Sequence, residues 1–425
     1  MTEPSAFDAI RRNVTAHAVE LVAIRRDLHA HPELGRSEVR TTGVVAERLE
    51  SAGIAVRRLR ASGLLADLGA REPTRVIGLR ADLDALPIRE RTGLPFASVT
   101  DGVSHSCGHD IHTTAALGAA LALKTIEGDL EDLGIGVRMV FQPAEEVMPG
   151  GAEDVMSQGG LDGVERIFAL HCDPSLDVGE VGLRVGPLTA AASQVEVTLT
   201  GQGGHTSRPH LTEDLTYALA KVITDVPGAL SRRLDPRAGA ALVWGSVHSG
   251  GAHNVIPSTG KASGTLRMLE GSAWEGSELL LDELVKAVVE PYGVRADLSV
   301  VRGVPPVVND AVSIEALTRA VHGAGAIGAA TPQSLGGEDF AWYLTRVPGA
   351  MARLGTRSVG GPTYDLHRGD IVLDEGAITI GACTLAGAVL GSAGLPPPDG
   401  TPGAVVPAGA LAASGATAAL AVPDR

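Results

Sequence analysis

Residues 104–112, Ser-His-Ser-Cys-Gly-His-Asp-Ile-His, place one thiol, three imidazoles and a carboxylate within nine positions. Cys107 and His109 lie one glycine apart and can turn to the same side of a looping backbone, with Gly108 supplying the φ freedom for the turn. That spacing is suggestive of a metal site, yet no second Cys-x-x-Cys or His-x-x-x-His completes a structural tetrahedron. The remaining ligands must therefore arrive from distant segments, and the chain needs a fold that brings far-apart loops to one point. The plainer alternative is a polar loop in which Asp110 caps a helix beginning near Thr113.

At 425 residues and 44% hydrophobic content the chain is long enough for two folded domains. A formal charge of −15, with no extended basic run, argues against nucleic acid and against an anionic membrane surface. The expected partner is a small molecule. Lys124, Lys221, Lys261 and Lys286 are the only lysines, and none stands among other reactive side chains, which leaves Schiff-base chemistry without a candidate. Three cysteines do not make a disulfide framework at this size, and the N-terminal residues lack the apolar core of a secretion signal, so a cytoplasmic protein is expected. Residues 376–395 carry no charge and match the length of a membrane span. Their Gly, Ala, Ser and Thr content points instead to a buried helix packed through small residues.

Along the chain, helical spacing covers 5–30 and 37–51, followed by short strand-like runs at 54–60, 63–69 and 74–87. A helix over 113–126, a strand leading into Glu145 and Glu146, a short helix near 150–159 and a strand over 164–172 continue the alternation. This is the pattern of an α/β protein with a mostly parallel sheet flanked by helices, whose chemistry gathers at the strand C-terminal ends, where Asp82, Glu145, Glu146 and His171 fall. Near 187 the pattern changes to β-α-β-β-α-β, that of a ferredoxin-like α+β unit. The expected division is a catalytic domain in two segments, 1–187 and 302–395, an inserted lid at 188–301, and a flexible tail at 396–425. No dinucleotide or phosphate-loop motif is complete.

Adjacent carboxylates at the end of a buried strand, as at Glu145 and Glu146, are costly without compensating positive charge. A metal would supply it, one carboxylate binding the ion and the other moving protons. Together with Cys107, His109, His171 and His367, Glu146 makes five ligands, too many for one tetrahedral zinc and suited to two metals sharing a hydroxide.

The stretches "RRDLHAHPELG", "GLRADLDALPI", "SCGHDIHT", "FQPAEE", "ALHC", "GGHTSRPH", "HNVIPS", "GGEDFAWY" and "LH" at 366–367 are similar to those of the amidohydrolase branch of the aminoacylase/carboxypeptidase family of dinuclear metallohydrolases. That branch includes hippurate hydrolase and indole-acetyl-amino-acid hydrolases. The resemblance implies a lid that dimerises, and two divalent metals (Mn, Zn, Co or Ni) held by Cys107, His109, Glu146, His171 and His367. It implies Glu145 as general base, His205 as an oxyanion-binding residue from the lid, and Asn254 and Arg267 as substrate-holding residues. The sequence departs from the branch at Ile111, where glycine is usual, and at Arg368-Gly369, where Ser-Pro is usual. The implied reaction is hydrolysis of an N-acyl amino acid. A cysteine hydrolase, with Cys107 as nucleophile and His109 or His112 as base, and a non-catalytic binding relative are the alternatives.

Overall fold

A computed structural model describes residues 6–397 of the protein. An eight-stranded sheet runs in the order Ala55–Arg58, Leu64–Gly69, Ile135–Gln142, Arg75–Asp82, Val164–Asp177, Gly349–Arg357, Glu180–Leu183, Ile327–Ala330. The four strands at its centre are mutually parallel, and antiparallel pairings occur toward both ends. Helices Ala6–Ala30, His109–Thr125, Ala311–Ala324 and Gly376–Ala393 share one hydrophobic core with it.

The uncharged segment is the helix Gly376–Ala393, long and apolar enough to cross a membrane, yet mostly buried inside the protein. Its glycines explain how it fits. A Cβ at Gly391 would lie 2.6 Å from the Ala316 carbonyl oxygen, and one at Gly381 would lie 3.0 Å from the Ala115 methyl. Two neighbouring helices thus approach its backbone more closely than side chains would allow, and dispersion replaces the absent polar anchors.

A second, antiparallel sheet has the order Ala241–Ser249, Thr259–Met268, Ala191–Thr200, Arg295–Arg302. With helices Leu215–Arg233 and Ser277–Val289 it has the ferredoxin-like order expected, and its own core. Alternation over 193–200, with Val195, Val197 and Leu199 buried, marks a sheet covered on one face. Two short strands, Gly186–Pro187 and Val308–Asn309, pair antiparallel where the chain enters and leaves this unit. Leu188 N–H to Val307 O (2.8 Å) and Ala192 N–H to Val304 O (3.0 Å) extend that ribbon.

Several expectations are corrected. The helix expected from Thr113 begins at His109, preceded by Gly108 in the left-handed region (φ 85°), so Asp110 lies inside it and is no cap. Asp110 is buried instead against Arg25 Nε (2.7 Å) and His29 Nδ1 (2.8 Å). The strand expected to close after His171 runs on to Asp177, because its extension pairs with Gly349–Arg357. Strands Glu180–Leu183 and Ile327–Ala330 were not expected from the sequence. Nearly all of the 396–425 tail lies outside the described residues.

Candidate metal centre

The site is built where the parallel strands end. Strand Arg75–Asp82 delivers Asp82 and Asp84, strand Ile135–Gln142 leads into Glu145 and Glu146, and the helix start delivers Cys107 and His109. The loop bearing the two glutamates is held by carboxylates. Asp84 accepts the backbone N–H groups of Glu145 (3.0 Å) and Glu146 (2.9 Å), and the buried Glu38 accepts that of Ala144 (2.7 Å). Ala144 is pinned at φ 59°, and across the cluster His367 sits at φ 61° with its N–H bonded to Ser106 O (2.9 Å). Non-glycine residues in that region cost about 1–3 kcal/mol each and persist only where their surroundings enforce them.

The structure brings together all five side chains expected to bind metal. Cys107, His109 and His171 offer donor atoms within 4.8 Å of one another, as do Cys107, Glu146 and His367, and also His109, Glu145 and Glu146. His171 is pre-set for a cation. Its Nδ1 lies 2.9 Å from Cys172 O, which fixes the proton there and turns the Nε2 lone pair toward Cys107 Sγ at 3.5 Å. Burial first, and then the positive charge of Arg353, hold this imidazole well below its ordinary pKa and so neutral.

His109 provides the test of fit. Both of its ring nitrogens are buried without a hydrogen-bond partner. Burial opposes its charge, yet Asp82, Asp84 and Glu146 raise its pKa to about 10. Carboxylates that would hold a proton so firmly on a buried imidazole form a donor set that fits a divalent cation. Cys107 points the same way: burial, then Glu146 and Glu145, push its thiol well above the usual range, so a thiolate there needs added positive charge.

His112 is excluded as a base for Cys107. Its Nδ1 donates to Asp82 (2.6 Å) and its Nε2 accepts the Cys172 N–H (2.7 Å), so both nitrogens are engaged. That leaves His109 as the base a cysteine-nucleophile alternative would use.

Arg80 went unassigned in the sequence and is the buried cation behind the site. Its guanidinium meets Asp82 (2.6 Å), Gln142 Oε1 (3.0 Å), Asp339 (2.8 Å) and Glu338 (3.1 Å). Glu145, Glu338 and Asp339 form a further close carboxylate group. Burial, then Glu338 and Glu146, push Glu145 well above the usual carboxylate range, and Asp339 rises to about 7 chiefly through burial.

The lid residues are not among the donors of the cluster. His205 and Asn254 are exposed, and His205 pairs with Val255 in a two-residue strand. Arg267, in strand Thr259–Met268, donates to Leu335 O (2.6 Å). Among the described residues, no hydrogen bond or ion pair joins these three to the metal cluster. Ile111 is a core residue, and the exposed Arg368 pairs with Asp370, so neither substitution contributes a donor to the cluster.

Residues 78–390 match the family described as Peptidase family M20/M25/M40. The chain belongs to this family. It is an enzyme, a metal-dependent hydrolase acting on amides, of the amidohydrolase branch. It is 36% identical over 367 residues to an N-acetyl-L-cysteine deacetylase of Bacillus subtilis (strain 168), covering 86% of each chain. Over 369 residues it is 48% identical to a putative glutamate–cysteine ligase 2-3 of Rhodococcus jostii (strain RHA1), covering 86% of this chain but spanning only 46% of that relative's length. Among solved structures it is similar to the Bacillus subtilis YxeP protein, described as a dinuclear metal-binding peptidase from the M20 family. There the TM-score is 0.77 and the identity 34%, covering 88% of this chain and 98% of that one.

Proposed function

We propose that this enzyme hydrolyses the amide bond of N-acyl amino acids, using two divalent ions held by Cys107, His109, Glu146, His171 and His367. The observation that carries the reading is the His109 ring, buried and unpartnered amid a thiol and several carboxylates. The likeness to an N-acetyl-L-cysteine deacetylase supports the substrate class. When bound, such ions supply Lewis acidity and a water whose pKa falls to roughly 7. Glu145 takes the attacking water's proton on a carboxylate oxygen and returns it to the departing amine nitrogen. Asp84 keeps the glutamate loop in register during both transfers. We assign the two-segment catalytic domain to 1–187 and 302–395 and the lid to 188–301. A reducing cytoplasm suits the three free, buried cysteines.

The test is a metal count joined to a substrate screen. Protein loaded with Mn, Zn, Co or Ni should hold two ions per chain and cleave N-acetyl, N-benzoyl or indole-acetyl amino acids. Cleavage that survives exhaustive chelation, or a single ion per fully active chain, would contradict the reading.

His205 has the tautomer an oxyanion donor needs. Its Nδ1 accepts the Ser207 N–H (3.1 Å), which leaves the proton on Nε2. We assign it to a partner subunit's centre in a homodimer formed through the lid. Mixing His205→Ala with Glu145→Gln subunits, each nearly inactive, should then restore activity at the sites that receive both intact residues. If heterodimers verified by mass stay inactive, His205 serves its own chain or no chain.

A further inference from the structure

Two arginines from different sheets reach one loop beside the metal cluster. Arg353 aligns with His171 in the parallel register between strands Gly349–Arg357 and Val164–Asp177, so the two side chains leave the sheet on the same face. Arg353 NH2 donates to Ser334 Oγ (3.1 Å), and the next residue, Leu335, accepts Arg267 NH1 through its carbonyl oxygen (2.6 Å). The Arg353 bond is part-buried and that of Arg267 exposed, and among the described residues neither arginine has an acidic partner.

The fully buried arginines, Arg25, Arg80 and Arg166, are each matched by carboxylates, although the half-buried Arg184, like Arg353, meets only neutral oxygens. The fully buried Arg80, for instance, meets three carboxylates, and the half-buried Arg75 is paired with Glu165. A guanidinium has five donors, and one hydroxyl leaves most of Arg353's capacity unused. A substrate carboxylate that lies away from the ions meets the surrounding carboxylates instead, and a fixed cation at that edge offsets the repulsion.

We infer that Arg353 is a specificity-determining residue that receives a carboxylate on the side chain of the substrate's amino acid, next to Arg267, which takes the α-carboxylate. The preferred substrates are then N-acyl amino acids with acidic side chains. This rests on the N-acyl amino acid reading and narrows it. Because Ser334 and Leu335 are neighbours in sequence, the two guanidinium groups are held on one side of the site, as two carboxylates of one small amino acid require.

The test uses N-acetyl-L-glutamate and N-acetyl-L-glutamine, which differ in charge and hardly in shape, with the metal-loaded full chain. The wild-type kcat/KM should favour the glutamate by at least about 30-fold, mainly through KM, in the range of a charge-assisted hydrogen-bonded pair. Arg353→Gln should bring the ratio to within about threefold, and Arg353→Lys should leave an intermediate value. Equal rates on the two substrates in the wild type, or a ratio unchanged in Arg353→Gln, would overturn the inference. Preference for N-succinyl-L-glutamine over N-acetyl-L-glutamate would overturn it as well, since the anionic group would then lie on the acyl side. If none of these amides is cleaved, the broader substrate reading fails, and calorimetric titration of the same pair of compounds still decides. A glutamate preference in binding that Arg353→Gln abolishes supports the carboxylate site, and equal binding removes it.

Discussion

Replacing Glu145 by Gln is expected to leave the metal content unchanged and to lower turnover by about 10²- to 10⁴-fold, the range for a positioned acid/base group. The exchange keeps the shape of the side chain and removes its ability to hold a proton. Glu145 and Glu146 both approach His109 Nε2 at 3.9 Å, so distance to that ring does not separate their roles. Their other neighbours do. Glu146 faces His367 Nε2 at 3.1 Å and shares a donor group with Cys107, whereas Glu145 faces Glu338 and Asp339. A carboxylate that faces other carboxylates is readily protonated, as a group carrying a proton from water to a leaving amine must be. Metal analysis alongside steady-state kinetics checks the assignment. Loss of metal in proportion to activity would mean that the two glutamates have exchanged roles.

Arg80→Met is expected to lower the unfolding free energy by about 3–5 kcal/mol at pH 7.5, because removing one partner of a buried ionic cluster leaves uncompensated charge. Methionine fills most of the volume, so the cavity contribution is small. Asp339, which burial already raises to about 7, then loses its cation and is held neutral more firmly in the fold while titrating normally in the unfolded chain. A carboxylate whose folded pKa is raised makes the folded state the better proton binder, so stability falls as pH rises above the unfolded value near 4. The deficit against wild type should therefore shrink on going from pH 7.5 to pH 5. Denaturant titrations at the two pH values measure both numbers. A loss under about 1 kcal/mol, or a deficit larger at pH 5, would show that Arg80 is not the balancing charge.

Some of this was readable in the sequence because it is local. The alternation of Val195, Val197 and Leu199 reports a half-covered sheet, and the apolar run of Val164–Cys172 reports a strand buried on both faces. The crowding of Cys107 and His109 was readable too, although the helix start was not. Gly108 takes over the turn at φ 85°, and Asp110 goes to Arg25 and His29, more than 80 residues earlier in the chain. Short edge strands such as Ile327–Ala330 carry too little periodicity to be seen. Arg80 with Glu338 and Asp339 depends on pairing across more than 250 positions, to which no local pattern points. The lid residues were named through resemblance, since nothing in the spacing of His205, Asn254 and Arg267 relates them to Cys107.

The narrow ribbon formed by Gly186–Pro187 and Val308–Asn309 is where the chain crosses into the lid and back, so any swing of the lid would have to bend it. A third segment borders it, with Ser334 N–H on Leu188 O (2.9 Å) and Ala190 N–H on Gly336 O (3.1 Å), so bending there would have to carry all three chains. Beside the same ribbon, Arg267 to Leu335 O and Gln333 Nε2 to Leu269 O at 3.1 Å tie the lid to the segment 333–336. A swing of the lid as a rigid unit would carry His205, Asn254 and Arg267 through one common arc. The spacing among the three is thus a property of the lid, and their height above the metal cluster is a property of the ribbon.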